Sequence, residues 1–384
     1  MPFDDTIAAI ATPSGVGGIG IIRISGPQSE AIARLLFRSP NGSISFKSHQ
    51  LYHGRIISPA TEAVLDDVLI TLMRKPHSYT GENLVEIHGH GNPLILEAML
   101  TEVIRAGARL AAPGEFTRRA FLNNRMDLTQ AEALMGLMTA RTGRGLEIAR
   151  AQLQGALHGQ IAALRQALID ILAGLETAID FSADEGEHAP PANAATQVQT
   201  VLDRMQALLS TYHEGKMIRQ GASAVIIGRP NVGKSSLLNR LLGEKRAIVT
   251  AIPGTTRDFI EESIDIHGIA VKLTDTAGLR NPDNIIEKEG IDRVWEKLSV
   301  ADLVIPVFDG SMPLTGEDHD LLEKTKQQNI VPVINKADLD QLLSDEELQG
   351  LLPHARPLRI SAKTGAGIPA LKEAIYRRLA GDEA

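Results

Sequence analysis

An octapeptide near the middle of the chain has the residue types and the spacing that bind a phosphate group. Gly228-Arg-Pro-Asn-Val-Gly-Lys-Ser235 fits the pattern Gly-x4-Gly-Lys-Ser, after an apolar run and before a helix-like run. Its glycines let successive backbone N–H groups turn toward one anion, and the following helix N-terminus adds partial positive charge. Lys234 can reach the β- and γ-phosphates of a nucleotide, and the Ser235 hydroxyl can bind Mg²⁺. We therefore expect a nucleotide-phosphate site, with an ordinary glycine-rich turn as the alternative.

Two downstream motifs have the groups that Mg²⁺ and a γ-phosphate require. Asp275-Thr-Ala-Gly278 ends an apolar run, so its carboxylate can hold Mg²⁺ through water and its glycine amide can turn to the γ-phosphate. Gly254-Thr-Thr-Arg-Asp258 lies between this motif and the phosphate loop, where Thr256 can complete the Mg²⁺ shell. We predict Ser235 and Thr256 as protein ligands of Mg²⁺.

Two more motifs have the chemistry to select guanine. Asn335-Lys-Ala-Asp338 follows a strand-like run, and the Asp338 carboxylate can accept both the N1–H and the exocyclic amine of guanine. Adenine offers no such donor pair, and a buried unpaired carboxylate would be costly, so ATP is disfavoured. The backbone of Ser361-Ala-Lys363 can meet guanine O6. The predicted GTP-contacting residues are Asn231, Val232, Gly233, Lys234, Ser235, Ser236, Thr250, Ala251, Ile252, Pro253, Gly254, Thr255, Thr256, Asp275, Thr276, Ala277, Gly278, Asn335, Lys336, Ala337, Asp338, Ser361, Ala362 and Lys363.

The residue that activates the attacking water is less obvious. Ras-type GTPases place a glutamine directly after Asp-x-x-Gly to orient that water, whereas this chain has Leu279, which cannot polarise water. Glu287, in the stretch Leu279–Gly290, is the candidate. The alternative is a solvated surface carboxylate, since Glu289 lies beside it.

The elements that must position these motifs form an α/β domain over residues 221–384. Strand-like and helical runs alternate there, which predicts a doubly wound parallel sheet. The predicted strands are Ser223–Ile227, Ile264–Asp275, Asp302–Asp309, Ile330–Asn335 and Leu358–Ser361, and the helix after the phosphate loop is predicted at Ser236–Leu242.

Two further domains are predicted before it, so the chain is multidomain. Residues 1–120 alternate short β-like runs with turn residues and predict an α+β domain. Its predicted strands are Asp4–Thr12, Ile19–Ser25, Leu51–Ser58, Val68–Met73 and Leu84–His88, and its predicted helices are Pro27–Phe37 and Pro93–Ala106.

Residues 121–220 predict an α-helical domain, as a bundle or a spacer. Asp127 with Gln130 three residues later is typical of a capped helix start. Apolar residues then recur every three or four positions from Leu153 to Ile179, which predicts one long helix face. A second helix is predicted at Ala194–Glu214.

Composition excludes several classes of protein. The chain has 384 residues, is 43% hydrophobic, and has no cysteine, so disulfides and thiolate chemistry within it are excluded. No apolar run reaches the roughly 20 residues that span a bilayer, and the N-terminus lacks the pattern of a signal peptide. We expect a cytoplasmic protein that does not bind membranes. The net charge is −8, and no segment of the chain has a basic stripe. Any contact with RNA is therefore expected to be local or shared with a partner.

Together these motifs resemble those of the TRAFAC-class GTPases, and the whole chain resembles the MnmE (TrmE) family of tRNA-modification GTPases. Outside the GTPase motifs, the resemblance is carried by Asp5–Pro13, Gly18–Gly26, Ala112–Arg125 and Asp127–Ala133. It implies an N-terminal folate-binding and dimerisation domain, a helical middle domain, and a P-loop GTPase domain of Ras-like fold.

The resemblance implies a tetrahydrofolate one-carbon donor, such as 5-formyl-tetrahydrofolate, bound by the N-terminal domain. The family's folate-contacting positions fall on Arg23, Glu86 and Arg125. A carboxylate can receive the pterin N–H donors, and arginines can hold the polar and acidic groups of folate. From the sequence alone, surface ion pairs are the alternative. His88 and His90 could share a strand face, but two histidines without a third ligand make a weak case for a metal site.

The resemblance also implies K⁺ activation and pairing of two GTPase domains in a homodimer. The family's K⁺ ligands fall on Asn231, Thr250, Ile252 and Thr255, and its general base falls on Glu287. The implied partner is MnmG (GidA), in a heterotetramer that installs a carboxymethylaminomethyl-type group at C5 of the wobble uridine of certain tRNAs. Family members continue into a further helical segment ending in Cys-x-Gly-Lys, whereas this sequence ends at Ala384. The expectation is therefore GTP hydrolysis without support for uridine modification.

The alternative reading is a ribosome-assembly GTPase switch of the Era or Der type. Those proteins share the phosphate loop and the Gly-Thr-Thr-Arg-Asp element. They also carry KH-type RNA-binding domains with a Gly-x-x-Gly loop in a basic setting, and no such module is evident beside residues 221–384.

Overall fold

The structure is a computed structural model that describes residues 4–40, 42, 45–181, 193–244, 263–275, 298, 300–326, 328–352 and 354–381. These residues fall into two compact units, divided between Ala133 and Leu134. No described helix is long and apolar enough to cross a membrane.

The first unit is an α+β fold, as predicted. Its described strands form one sheet in the order β3-β4-β5-β6-β2-β1-β7, antiparallel except for the β1–β7 pair. The strands are β1 (Ile7–Ile10), β2 (Gly17–Ser25), β3 (Phe37–Arg38), β4 (Leu51–Ile57), β5 (Val64–Met73), β6 (Leu84–Gly91) and β7 (Arg109–Leu110). The helices are α1 (Ser29–Leu36), α2 (Pro93–Arg105) and α3 (Glu115–Leu122).

The strand pattern determines which side chains can form a site in this unit. Alternate residues point to opposite faces of a sheet. Ile22 and Ile24 of β2 and Ile87 of β6 are buried in a core with α1 and α2. Arg23, between Ile22 and Ile24, therefore lies on the other face of the sheet, and so does Glu86, which precedes Ile87.

The helical segment begins as predicted. Helix α4 (Leu128–Thr139) follows a reciprocal cap in which Gln130 N–H donates to Asp127 Oδ1 and Asp127 N–H donates to Gln130 Oε1, each at 2.9 Å. It continues with α5 (Gly143–Leu153), α6 (Ala156–Phe181), α7 (Ala194–Ser210) and α8 (Tyr212–Gln220).

Two predictions for this segment were wrong in detail. The long apolar periodicity crosses a break, because Gly155 has a φ of 86° and ends α5 before α6 begins. The predicted helix Ala194–Glu214 also divides in two, at Thr211, whose hydroxyl donates to the Leu208 carbonyl (2.8 Å). Such local hydroxyl bonds compete with the helical ladder.

The remaining chain forms the predicted doubly wound sheet. Its described strands lie in the order β13-β12-β11-β8-β10-β9, and all neighbours are parallel except β9 and β10. The strands are β8 (Ala222–Ile227), β9 (Ser263–Ile266), β10 (Ile269–Asp275), β11 (Leu303–Asp309), β12 (Val333–Asn335) and β13 (Leu358–Arg359). The helices are α9 (Lys234–Glu244), α10 (Gly316–Thr325), α11 (Asp345–Leu351) and α12 (Ile368–Ala380).

The prediction of one strand over Ile264–Asp275 was wrong. The backbone turns at His267 and Gly268, and β9 and β10 pair as an antiparallel hairpin. The Asp265 carboxylate accepts the Gly268 N–H (2.8 Å), which stabilises the turn. The parallel strands place their carboxyl ends along one edge, beside the first residues of α9. This edge is the usual ligand site of such sheets.

Candidate functional site

The phosphate loop connects β8 to α9 through backbone conformations that its residue types allow. Asn231 has a φ of 64° and Gly233 a φ of 99°, both in the left-handed region. A Cβ atom added at Gly233 would lie 2.2 Å from Asn335 Nδ2, so a side chain is excluded there. The loop therefore has a fixed path that depends on its second glycine.

Lys234 is buried within this loop. Its Nζ donates to the carbonyl oxygens of Gly228 (2.8 Å) and Arg229 (2.7 Å), which holds the ammonium over the loop. Ser235 and Ser236 are exposed in the first turn of α9. A cation and two hydroxyls thus lie at a helix N-terminus, an arrangement suited to phosphate and Mg²⁺.

Asn335 joins the phosphate loop to the base motif. Its side chain is 2% exposed. Nδ2 donates to the Val232 carbonyl (2.8 Å), and Oδ1 accepts the Ala362 N–H (3.0 Å). Three predicted motifs therefore meet at one buried amide, although Asn335 is 103 residues from Val232 and 27 residues from Ala362 in sequence.

Asp338 lies beside Ser361, as the base-recognition prediction requires. The Ser361 hydroxyl donates to Asp338 Oδ1 (2.6 Å). This hydrogen bond holds the pKa of Asp338 below its usual range, so the side chain is an acceptor at neutral pH. The Asp338 carboxylate, expected from the sequence to be buried, is exposed. Any selection of guanine by this carboxylate therefore has to come from the geometry of its acceptor oxygens, since burial does not contribute.

Lys336 has a carboxylate partner that the sequence analysis missed. Its Nζ lies 2.5 Å from Oδ2 of Asp309, a buried residue at the end of β11. Burial raises the pKa of Asp309, but hydrogen bonds from Lys336 and Ser311 outweigh it and hold that pKa below its usual range. The sequence signal for this contact was Asp309 itself, an acidic residue at the end of an otherwise apolar strand.

A second missed contact anchors the phosphate loop. Arg229 Nε donates to Asp318, whose Oδ1 is 2.9 Å away and whose side chain is 2% exposed. Asp318 also accepts from the N–H and hydroxyl of Thr315, closing the capping box of α10. Because a buried carboxylate needs such partners, this ion pair fixes the loop to α10.

Several predicted residues lie outside the described part of the chain. These are Thr250, Ala251, Ile252, Pro253, Gly254, Thr255, Thr256, Thr276, Ala277, Gly278 and Glu287. Asp275 is described through its backbone, which is paired with Ile226 next to the phosphate loop. The predicted motif at Asp275 thus begins at the edge of the sheet formed by the carboxyl ends of the parallel strands, where the phosphate loop lies.

In the first unit, the structure pairs two of the three predicted folate residues. Arg23 and Glu86 are direct neighbours on β2 and β6. Arg23 Nε donates to Glu86 Oε1 (2.9 Å), and Nη2 lies 2.8 Å from the same oxygen. The guanidinium also lies 5.2 Å from the ring centroid of Tyr79 and 5.7 Å from that of Phe116. Both rings come from segments distant in sequence from Arg23, and no sequence motif marked them.

Arg125 joins this pair through a loop. Its Nε donates to the Ser78 carbonyl (3.0 Å), and the adjacent Tyr79 donates to or accepts from the Thr117 hydroxyl (2.8 Å). Arg23 contacts the same Tyr79 ring. Arg125 and Arg23 therefore contact adjacent residues of one loop, Ser78 and Tyr79, and Arg23 is paired with Glu86.

Helix α3, which carries Phe116, is held by an ionic network. Arg119 is fully buried and donates to Asp5 Oδ1 (2.7 Å) and Glu115 Oε1 (3.0 Å), with Glu82 Oε2 at 3.3 Å. The hydrogen bond from Arg109 is the main reason that the pKa of Glu115 falls to about 2.

His88 and His90 are two residues apart on β6, and they have separate carboxylate partners. His88 Nε2 lies 3.4 Å from Glu86 Oε2, whereas His90 Nδ1 lies 2.7 Å from Asp66 Oδ1. The hydrogen bond to Asp66 raises the pKa of His90. The described residues contain no group of three side chains able to hold a metal ion.

Two family models match the chain. Residues 6–125 match the one described as GTP-binding protein TrmE N-terminus, and residues 128–384 match the one described as MnmE helical domain.

Similar curated proteins share the name tRNA modification GTPase MnmE. The one from Syntrophus aciditrophicus is 54% identical over 372 residues, covering 97% of this chain and 81% of that protein. The one from Alkaliphilus oremlandii is 44% identical over 377 residues, covering 98% and 82%. Among solved structures, the G domain of the T. maritima FeoB iron transporter is 30% identical, with a TM-score of 0.31, and covers 41% of this chain and 98% of that one.

Proposed function

The chain belongs to the MnmE (TrmE) family of tRNA modification GTPases, and we propose how its own residues bind and hydrolyse GTP. It is a GTPase that acts in tRNA modification. The observation that carries the assignment of the site is Asn335, whose buried amide binds the phosphate loop and the Ser361–Lys363 segment together. This contact supports one guanine-nucleotide site made from motifs far apart in the sequence.

The phosphate loop and α9 bind the phosphates. Backbone N–H groups from Asn231 to Ser236 face one anion at the helix N-terminus. Lys234 Nζ already donates to two carbonyl oxygens of this loop. A β- or γ-phosphate oxygen can take the place of these carbonyls as the acceptor. Asp338 and the Ser361–Lys363 backbone recognise the base.

The residues present fit the two predicted cations. Hydroxyl oxygens of Ser235 and Thr256 suit the hard cation Mg²⁺, which when bound neutralises charge on the phosphates. Asn231, exposed and in a left-handed conformation, offers a neutral oxygen for K⁺. We propose that the predicted oxygens of Thr250, Ile252 and Thr255 complete the K⁺ site, and that Glu287 is the general base acting on water.

The N-terminal unit binds a tetrahydrofolate one-carbon donor in this proposal. Glu86 can accept pterin N–H groups, and Arg23 and Arg125 can hold acidic groups of the ligand. The ion pair with Glu86 and the rings of Tyr79 and Phe116 orient Arg23 before any ligand binds. Binding of 5-formyl-tetrahydrofolate, measured calorimetrically, is expected to weaken in Glu86→Gln. The exposed control Glu97→Gln is expected to bind like the wild type, and equal affinities in both variants would contradict the site.

We further propose that the protein acts as a homodimer with MnmG (GidA) in a heterotetramer. For members of the family that carry the C-terminal Cys-x-Gly-Lys segment, the product is a carboxymethylaminomethyl-type group at C5 of the wobble uridine of certain tRNAs, made in the cytoplasm. Family matches over both 6–125 and 128–384 favour this assignment over an Era- or Der-type ribosome-assembly GTPase. A pulldown that retains MnmG supports the proposal, whereas retention of a ribosomal subunit instead would support the alternative.

The nucleotide assignment is tested by GTP hydrolysis. The full chain is expected to hydrolyse GTP with Mg²⁺ and K⁺, and Lys234→Ala is expected to lose turnover because the phosphate charge is no longer neutralised. Lys272→Ala, on strand β10, is the matched control for the loss of one lysine. Equal turnover by the Lys234 variant and the wild type would refute the assignment.

A further inference from the structure

The helix that follows the phosphate loop also holds the Ser361–Lys363 segment, which we propose above to recognise the base. Arg240, on α9, donates from Nε to the Ala362 carbonyl (3.1 Å) and from Nη2 to the Lys363 carbonyl. A guanidinium presents its donors in a rigid fork, so two consecutive carbonyls fit it well. The base segment is thereby fixed to the helix that begins at Lys234.

Holding the Ala362 carbonyl determines where the next N–H points. A trans peptide is planar, so the Lys363 N–H points opposite to the Ala362 C=O and away from Arg240. The two neighbouring amides are already engaged, since Ala362 N–H donates to Asn335 Oδ1 (3.0 Å) and Thr364 N–H donates to Ser361 Oγ (3.1 Å). Within the part of the chain that the structure describes, no acceptor takes the Lys363 N–H.

This amide belongs to the same short segment as the partner of Asp338. Ser361, two residues earlier, donates to Asp338 Oδ1 at 2.6 Å. The guanine edge carries an acceptor, O6, next to the donors N1–H and the 2-amino group. One directed N–H beside one carboxylate is therefore complementary to that edge.

We propose that Arg240 is a positioning residue for recognition of guanine O6, acting through the Ala362–Lys363 peptide. It fixes the plane of that peptide, and so aims the Lys363 N–H at O6 while Asp338 accepts the two donors. The inference rests on the proposed guanine site. It adds a residue from the phosphate-binding helix to the selection of the base.

The test compares nucleotides that differ at single positions of this edge. GDP, 6-thio-GDP and inosine diphosphate are titrated calorimetrically against the full chain. In 6-thio-GDP, sulfur replaces O6 and accepts hydrogen bonds weakly. In inosine diphosphate, O6 is retained and the 2-amino group is lost. The wild type is expected to prefer GDP over 6-thio-GDP by about three- to tenfold, the usual net value of one hydrogen bond.

Arg240→Ala is expected to remove the preference for GDP over 6-thio-GDP and to keep the preference for GDP over inosine diphosphate. A purely structural role would weaken all three ligands by the same factor and leave both ratios unchanged, which would overturn the proposal. Arg377→Ala, which removes an exposed arginine paired with Glu373, is the matched control and is expected to behave like the wild type.

Arg240→Lys provides an independent variant with the charge retained. A lysine ammonium is a single rotatable donor centre without a planar fork, so it fixes the plane of the Ala362–Lys363 peptide less firmly than the guanidinium does. Its GDP to 6-thio-GDP ratio is therefore expected to fall between those of Arg240→Ala and the wild type. If Arg240→Ala does not fold, an unchanged ratio in Arg240→Lys overturns the proposal. A wild-type protein without any preference for GDP over inosine diphosphate would instead refute the guanine site itself, and the proposal with it.

Discussion

Replacing Asp338 with asparagine is expected to change which base the site accepts. The carboxylate offers acceptors to both N1–H and the 2-amino group of guanine. Asparagine has one oxygen and one NH₂ group, so one hydrogen bond is lost and two donors face each other. A hydrogen bond to a charged group is worth about 10- to 100-fold in affinity. We therefore expect GTP affinity to fall by about 10²-fold or more.

Xanthosine triphosphate should respond in the opposite direction. Xanthine has a carbonyl oxygen in place of the 2-amino group, and the new NH₂ group can donate to it. The 2.6 Å contact between Asp338 and Ser361 supports this expectation, because the serine hydroxyl can still donate to an amide oxygen and hold the side chain in place. Asp338→Asn is therefore expected to prefer xanthosine triphosphate over GTP.

Competition titrations against a fluorescent guanine nucleotide and a fluorescent xanthine nucleotide measure both affinities. Asp340→Asn is the matched control, because it removes the same charge from the same loop two residues away. Unchanged GTP affinity in Asp338→Asn, or equal losses in the two variants, would refute the assignment of Asp338 as the residue that reads the base.

The remaining predictions concern catalysis, cation use and stability. Glu287→Ala should lower GTP turnover by about 10²- to 10⁴-fold with nearly unchanged nucleotide affinity, and equal losses in Glu289→Ala would indicate a diffuse charge effect. GTP turnover should rise when K⁺ replaces Na⁺ at constant ionic strength, because a cage of neutral oxygens selects cations by size. Asn231→Ala should erase that difference between the two salts. Equal wild-type turnover in both salts would contradict the K⁺ site. The folded-state pKa of Glu115 is lowered to about 2. The ionised side chain therefore contributes about 3 kcal/mol to the free energy of unfolding at pH values above its unfolded pKa, and this contribution is lost as pH falls toward 2. The melting temperature should therefore fall less steeply in Glu115→Gln than in the wild type as pH is lowered from 6 to 3. An equal dependence of the melting temperature on pH in the two proteins would contradict this.

The parts of the site that could be predicted from sequence are those fixed by local chemistry. Gly233 and Lys234 belong to a motif whose spacing dictates the backbone path, and the structure reproduces that loop. The reciprocal cap of Asp127 and Gln130 was predictable because both residues lie within one helical turn.

Other features depend on tertiary contacts that no local pattern encodes. Asp309, Asp318 and Arg240 act on motifs between 27 and 123 residues away in sequence. The periodic spacing of apolar residues also continued across the break at Gly155, because hydrophobic periodicity does not report a single left-handed residue. Glu287 and the residues from Thr250 to Thr256 stay predictions from sequence.

Calorimetric titration of the full chain with GDP and with ADP, under identical Mg²⁺ and K⁺ concentrations, tests the central claim most directly. The Asp338 carboxylate and the Ser361–Lys363 backbone should bind GDP and prefer it over ADP by about 10²-fold or more, because a hydrogen bond to a charged group is worth about 10- to 100-fold in affinity. Equal affinity for the two nucleotides, or binding of ADP alone, would contradict the assignment of this edge of the sheet as a guanine-nucleotide site.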